Sequence, residues 1–179
     1  MFEVSDMPID RMKLLNRTLR ADERGHFEEI YRATDFGDEV PEFVQDNLSF
    51  SKASVLRGMH LQVSQWQLVT VLFGSIQDVT FDLNPNSPTF RQAHSIEMRH
   101  DMDNQLLIPP GVSHGFCVLS KEVILHYKSN VYYGNTLQYG VAWNSQELKN
   151  IWPDGDWILS GRDLEFPTID QFLLSGVTL

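Results

Sequence analysis

The sequence predicts an all-β sandwich or barrel with short peripheral helices. Three observations predict it. Many short runs rich in Val, Ile, Phe and Tyr follow one another closely. Gly, Pro, Asn or Asp bounds most of them. Helical periodicity is weak and confined to the C-terminal part of the chain.

Along the chain, strands are expected at residues 13–17, 27–32, 44–51, 55–61, 66–74, 75–83, 91–98, 104–108, 115–119, 123–129 and 139–143. Phe73-Gly74-Ser75 is expected to close a hairpin between 66–72 and 76–83. Asn84-Pro85-Asn86-Ser87-Pro88 holds two prolines and cannot continue a central strand. Within 77–83, Val79, Phe81 and Leu83 alternate with Asp78, Thr80 and Asp82, which gives one apolar and one polar face. Residues 145–150 suit a turn of helix, and 168–174 suit another with Thr168 as N-cap. Sandwiches and barrels built of such strands leave an interior or mouth where polar side chains meet a ligand.

Composition narrows the class. A chain of 179 residues fits one domain spanning 1–179. Hydrophobic residues make up 42% and charged residues 21%, as in ordinary globular proteins rather than disordered or fibrous ones. The formal charge is −10, which opposes non-specific binding to nucleic acid and anionic membrane. A small anionic ligand remains compatible, because a few local arginines prevail within a Debye length of about 8–10 Å. Cys117 is the only cysteine and reads as a buried thiol in an apolar run. The N-terminal stretch lacks the apolar core of a signal peptide, and no run approaches the roughly 18 apolar residues of a membrane span. A cytoplasmic protein is expected.

Few residues stand out as chemistry. Period two places Leu56, Gly58, His60 and Gln62 on one strand face and Arg57, Met59 and Leu61 on the other. Such a strand fits a pocket floor bearing His60, and equally a hydrogen-bonded core histidine. Pro109-Pro110-Gly111-Val112-Ser113-His114 reads as a tight turn that aims His114. A metal site needs three or four donors at ligand spacing, and one isolated His in each segment is a poor set. Tyr127, Tyr132 and Tyr133 fit proton transfer or packing. Asp163 reads as a surface loop acid. No phosphate-binding glycine loop, nucleophile elbow or CxxC is present.

Taken together, the segments resemble the dTDP-4-dehydrorhamnose 3,5-epimerase family, a branch of the cupins. The resemblance rests on an ordered set of stretches. They are Asp22-Glu23-Arg24-Gly25-His26-Phe27-Glu28-Glu29, Phe43-Val44-Gln45-Asp46-Asn47-Leu48-Ser49-Phe50-Ser51, Leu56-Arg57-Gly58-Met59-His60-Leu61-Gln62 and Ser87-Pro88-Thr89-Phe90. After these come Ile108-Pro109-Pro110-Gly111-Val112-Ser113-His114-Gly115-Phe116, Tyr127, Tyr133, Trp143-Asn144, Ile151-Trp152-Pro153 and Leu159-Ser160-Gly161-Arg162-Asp163. The resemblance implies a cupin jelly roll, a homodimer and a nucleotide-diphosphate sugar with a 4-keto group, with no metal and no cofactor. It implies His60 as general base, Asp163 as its orienting partner and Tyr127 as proton donor on the opposite face of the sugar. It places Arg57 and His114 in the pocket, and Arg24, Phe27, Glu29, Gln45, Asn47 and Tyr133 at positions that bind substrate or nucleotide. In the family, part of the N-terminal segment reaches the partner's site.

The sequence departs from the family at Gln67, a position that also belongs to the substrate site and where relatives usually carry a lysine that neutralises an enolate oxygen. Gln67 brings hydrogen-bonding groups but no charge. Slower catalysis, a relocated cation, or a different sugar or a single inverted carbon would each fit. The resemblance also admits a 3,4-ketoisomerase and a non-catalytic sugar-nucleotide-binding cupin.

Overall fold

The computed structural model describes residues 3–36, 40–102, 104–134 and 138–178. Two antiparallel sheets face each other as a cupin jelly roll. In spatial order the larger holds β1 (Glu3–Asp6), β2 (Lys13–Asn16), β10 (Asn104–Ile108), β7 (Gln67–Phe73), β12 (Glu122–Ser129) and β5 (Gln45–Lys52). The smaller holds β13 (Gln138–Gly140), β6 (Leu56–Gln62), β11 (Val112–Val118), β8 (Ser75–Asp82) and β9 (Ala93–Arg99). A separate hairpin pairs β3 (Arg20–Asp22) with β4 (Gly25–Phe27). Two short helices, α1 (Gly161–Leu164) and α2 (Ile169–Leu174), follow the strands.

Among the described residues, three apolar clusters hold these layers, and two of them bear on the site. Val69, Val71, Leu106, Ile108 and Leu125 of the larger sheet meet Ile76, Met98, Phe116 and Val118 of the smaller. The outer face of the smaller sheet presents Leu56, Met59, Leu61, Val79, Phe81 and Cys117, which the C-terminal segment covers with Leu148, Trp152, Ile169 and Phe172. Each large side chain buried this way contributes about 1.5–3 kcal/mol. Burial pushes the Cys117 thiol up to about 11, so it stays protonated and inert. α2 begins at the expected Thr168. Its side chain accepts from Gln171 N, while Gln171 Oε1 accepts from Thr168 N, forming a capping box.

The expected hairpin at Gly74 does not form. β7 pairs with β10 and β12, whereas β8 pairs with β11 and β9, so Gly74 carries the chain from one sheet to the other. The corner is tied to other strands: Ser75 N donates to Ser120 Oγ, and His100 N donates to Gly74 O. The expected strand at 27–32 stops at Phe27. Beyond it Glu28 pairs with Arg17, and Tyr31 packs on Phe36 and Phe43, so tertiary contacts replace a ladder. β1, β3 and α1 carry no signal strong enough to be expected. The polar face of β8 is also not a solvent face. Asp78, Thr80 and Asp82 are all buried. Asp82 closes the proline turn by accepting from Asn84 N and Thr89 Oγ1.

One irregularity positions the site. On β11 two steps lead from His114 to Phe116, while their partners on β6, His60 and Arg57, lie three residues apart. This bulge inserts one residue into β6 and reverses its alternation. The expected partition of faces therefore fails in the first half of the strand. Leu56 joins Met59 and Leu61 in the outer core, while Arg57 joins His60 and Gln62 at a cavity. Gly58 sits at the bulge with φ +118, and the backbones touch there. A Cβ on Gly58 would lie 2.6 Å from Gly115 Cα, and one on Gly115 would lie 2.6 Å from Arg57 O. Gly115→Ala is expected to cost about 1–3 kcal/mol through this overpacking, read as a lower denaturation midpoint. An unchanged midpoint would show that the two strands have room to part.

Candidate active site

A cavity of about 200 Å³ opens between the sheets. The smaller sheet contributes Arg57, His60 and His114. The larger contributes Ser49, Gln67 and Tyr127. Tyr133 and Arg162 line it from a loop and from α1. His114 is not the turn residue expected. It lies within β11, directly opposite His60 on β6.

His60 is held by two side chains. Its Nε2 lies 2.8 Å from Asp163 Oδ1. Asp163 is only 4% exposed, not a surface acid, because the C-terminal cover packs α1 behind β6. Ser160 caps that helix by accepting from Asp163 N at 3.1 Å, and Gly58 N points at Asp163 Oδ2 at 3.4 Å. Burial pushes the Asp163 carboxyl up. The hydrogen bond and charge of His60, with the Gly58 and Ser160 contacts, outweigh it and hold the carboxyl below its ordinary value. An ionised carboxylate only accepts, so His60 Nε2 carries the proton and Nδ1 is the basic nitrogen of the neutral ring. The second support is the Phe166 ring, edge-on at 5.8 Å. Gly140 makes space for it, since a Cβ there would lie 2.4 Å from the Phe166 ring.

Tyr127 reaches the cavity from the other sheet. Burial pushes its phenol above the usual value, Arg57 partly offsets this, and Tyr133 adds to it. The phenol is therefore protonated at neutral pH and able to donate. Arg57 is braced by Ser51 Oγ at 2.9 Å and Phe50 O at 3.3 Å. His114 Nδ1 lies 3.4 Å from Asp78 Oδ2, and burial drives that carboxyl upward against the pull of His114.

The other expected site residues divide. Tyr133 stands at the mouth, 75% exposed. Its backbone N donates to Gln45 Oε1 at 2.8 Å, and Gln45 Nε2 donates to Asn47 Oδ1 at 2.7 Å. Gln45 and Asn47 thus brace the mouth rather than line the cavity. Arg24, Phe27 and Glu29 do not reach this chain's cavity. Arg24 is bonded to Asp22, Glu29 is bonded to Arg32, and Phe27 is 71% exposed on the hairpin. Sequence reasoning did not single out Ser49, Phe166 or Arg162, although Arg162 adjoins Asp163 in a stretch that carried the resemblance. Among the described residues no group of three His, Cys, Asp or Glu side chains converges as metal ligands.

Comparison with known proteins identifies the family. The family model for dTDP-4-dehydrorhamnose 3,5-epimerase matches residues 6–171. The enzyme of that name from Shigella flexneri is 37% identical over 161 residues, covering 85% of this chain and 89% of the relative. The Bacillus anthracis dTDP-4-dehydrorhamnose 3,5-epimerase, crystallised with TDP and pyrophosphate, superposes with a TM-score of 0.88 at 38% identity, covering 94% of this chain and 99% of that one. The Legionella pneumophila epimerase, solved in complex with dTDP-4-keto-L-rhamnose, superposes with a TM-score of 0.88 at 33% identity, covering 95% of this chain and 94% of that one. Since the match takes in both sheets, the His60 strand and the helix that bears Asp163, the chain belongs to the dTDP-4-dehydrorhamnose 3,5-epimerase family.

Proposed function

We propose that this chain epimerises a nucleotide-linked 4-keto-6-deoxyhexose at C3, C5 or both, in deoxysugar biosynthesis. The observation that carries the reading is the pairing across the cavity. A histidine backed by a buried carboxylate comes from one sheet, and a protonated tyrosine comes from the other. The ligands held by the Legionella and Bacillus enzymes support a thymidine-diphosphate sugar as the substrate class.

The chemistry follows from the ketone. A hydrogen on a carbon beside C4 is acidic because the electron pair left behind moves onto the carbonyl oxygen as an enolate. His60 Nδ1 takes that proton. Asp163 stabilises the imidazolium that forms and holds its tautomer. Tyr127 returns a proton to the other face of the same carbon, which inverts it. Proton transfer alone completes the change and leaves the oxidation state of the sugar as it was. Arg57 lines the cavity as a cation and lowers the energy of the enolate and of the diphosphate. In a homodimer, the β3–β4 hairpin would bring Arg24, Phe27 and Glu29 to the partner's cavity. No helix among the described residues is long and apolar enough to cross a membrane, and we place the reaction in the cytoplasm.

Incubation with dTDP-4-keto-6-deoxyglucose in deuterated water is expected to place deuterium at C3, C5 or both. Absence of deuterium at both carbons would sink the reading and favour a sugar-nucleotide-binding protein, the alternative that Gln67 suits. His60→Ala is expected to lower the exchange rate by about 10²–10⁴-fold. Tyr127→Phe is expected to retain exchange but lose inversion, which chiral analysis of the product would resolve. Asp163 also links pH to stability. Its folded-state value is depressed, so its contribution is present above the unfolded value of about 3.9 and is lost as pH falls through the folded value. Asp163→Asn should therefore be less stable than the parent at neutral pH, with the gap narrowing in acid. A gap that is constant across the titration would contradict this.

A further inference from the structure

Gln67 is a cavity residue whose polarity the fold dictates. It opens β7 and lies opposite Ser129 of β12. Tyr127 is two residues before Ser129 on that strand and so shares its face. A short relay runs from this pair. The Ser129 hydroxyl donates to Val131 O at 2.6 Å. A backbone carbonyl can only accept, so the single Ser129 proton is committed there. Ser129 Oγ must then act as acceptor toward its other neighbours. It receives Val131 N at 3.2 Å and the Gln65 Nε2 amide.

The Gln65 carboxamide is thereby oriented. Its nitrogen faces Ser129, so its Oε1 faces Gln67 and needs a donor. Gln67 Nε2 supplies one at 2.7 Å. The remaining polar atom of that side chain, Gln67 Oε1, is buried and has no hydrogen-bond partner among the described residues. A flipped Gln67 amide would set two carbonyl oxygens against each other. A flipped Gln65 would set its Oε1 against Ser129 Oγ, whose one proton is committed to Val131 O, and its amide nitrogen against Gln67 Nε2, two donors face to face. The orientation at Gln67 is thus inherited, bond by bond, from the carbonyl of Val131.

We propose that Gln67 is a specificity-determining acceptor. Its Oε1 takes a hydrogen bond from a hydroxyl of the bound hexose, with Ser129 and Gln65 as positioning residues that keep it an acceptor. The proposal rests on the reading that this cavity binds a nucleotide-linked 4-keto-6-deoxyhexose. It deepens that reading by adding a requirement on the sugar. It also decides among the consequences that Gln67 leaves open. An acceptor oxygen repels an enolate oxygen, so Gln67 does not stand in for a cation, and charge stabilisation falls to the cationic lining, Arg57 first. A buried acceptor left unpaired is costly, so a sugar lacking the hydroxyl is rejected more strongly than the loss of one surface contact would suggest.

The test compares kcat/KM for deuterium uptake with dTDP-4-keto-6-deoxyglucose and with its 2-deoxy and 3-deoxy counterparts. The parent enzyme is expected to disfavour at least one deoxy sugar by about tenfold or more. Gln67→Met keeps the length of the side chain and removes its hydrogen-bonding groups, and it should bring that ratio close to one. Ser129→Ala should also lower the ratio, and Ser129→Thr, which keeps the hydroxyl, should restore it. A merely structural role for Ser129 would change rates for all three sugars alike. If deuterium is incorporated but Gln67→Met leaves both ratios unchanged, the proposal falls and the epimerase reading stands. If the parent enzyme incorporates no deuterium from any of the three, the epimerase reading falls and takes the proposal with it.

Discussion

The close approach of Gly58 and Gly115 decides what the cavity contains. At that contact β6 takes one residue more than its partner. Everything upstream of the bulge is turned over relative to everything downstream. Arg57 and His60 consequently serve the same space, and Leu56 and Met59 both feed the outer core. The same point in the backbone presents Gly58 N to the Asp163 carboxylate. A regular strand would have sent the cation and the base to opposite faces. It would have left the cavity without the Arg57 cation beside its base.

The outer core is the second half of that arrangement. Asp163 belongs to the chain's last segment, about a hundred residues from His60. It arrives at hydrogen-bond distance because Leu148, Trp152, Ile169 and Phe172 are apolar and need the outer face of the smaller sheet. Hydrophobic burial, which has no directionality, brings the helix to the strand. Directional contacts then set the geometry: the Ser160 cap, the Gly58 amide and the Phe166 edge. The lowered pKa of Asp163 and the raised pKa of Tyr127 are products of this placement. One buried group has a hydrogen-bonding partner and keeps its charge, while the other lies in apolar surroundings and stays neutral. Acid and base are thereby separated by environment as well as by position.

The interior of the larger sheet shows how polarity travels without charge. Neither Ser129 nor Gln65 lines the cavity, yet they determine which amide atom of Gln67 is left unpaired. A residue type taken alone leaves open whether a carboxamide donates or accepts. A chain of hydrogen bonds ending on a backbone carbonyl removes the choice.

The alternation of apolar and polar residues and the turn residues between them determined the strand content, the proline turn, the Thr168 cap and the buried state of Cys117. The order of short stretches such as the one around His60 determined the family. These are local properties, legible because a strand repeats every two residues and a turn needs particular residue types. Local periodicity carries no information about which strands pair, so Gly74 read as a hairpin although it is a corner between sheets. It cannot see a bulge, which gave His60 the right face and Arg57 the wrong one. It placed Asp163 on the surface and His114 in a turn, and it passed over Ser49, Phe166 and the relay behind Gln67. Those outcomes depend on contacts between residues far apart in the chain, where backbone hydrogen bonds and apolar burial are satisfied only in three dimensions. Tertiary structure alone therefore decided which side chains share the cavity and in which protonation state and orientation they do so.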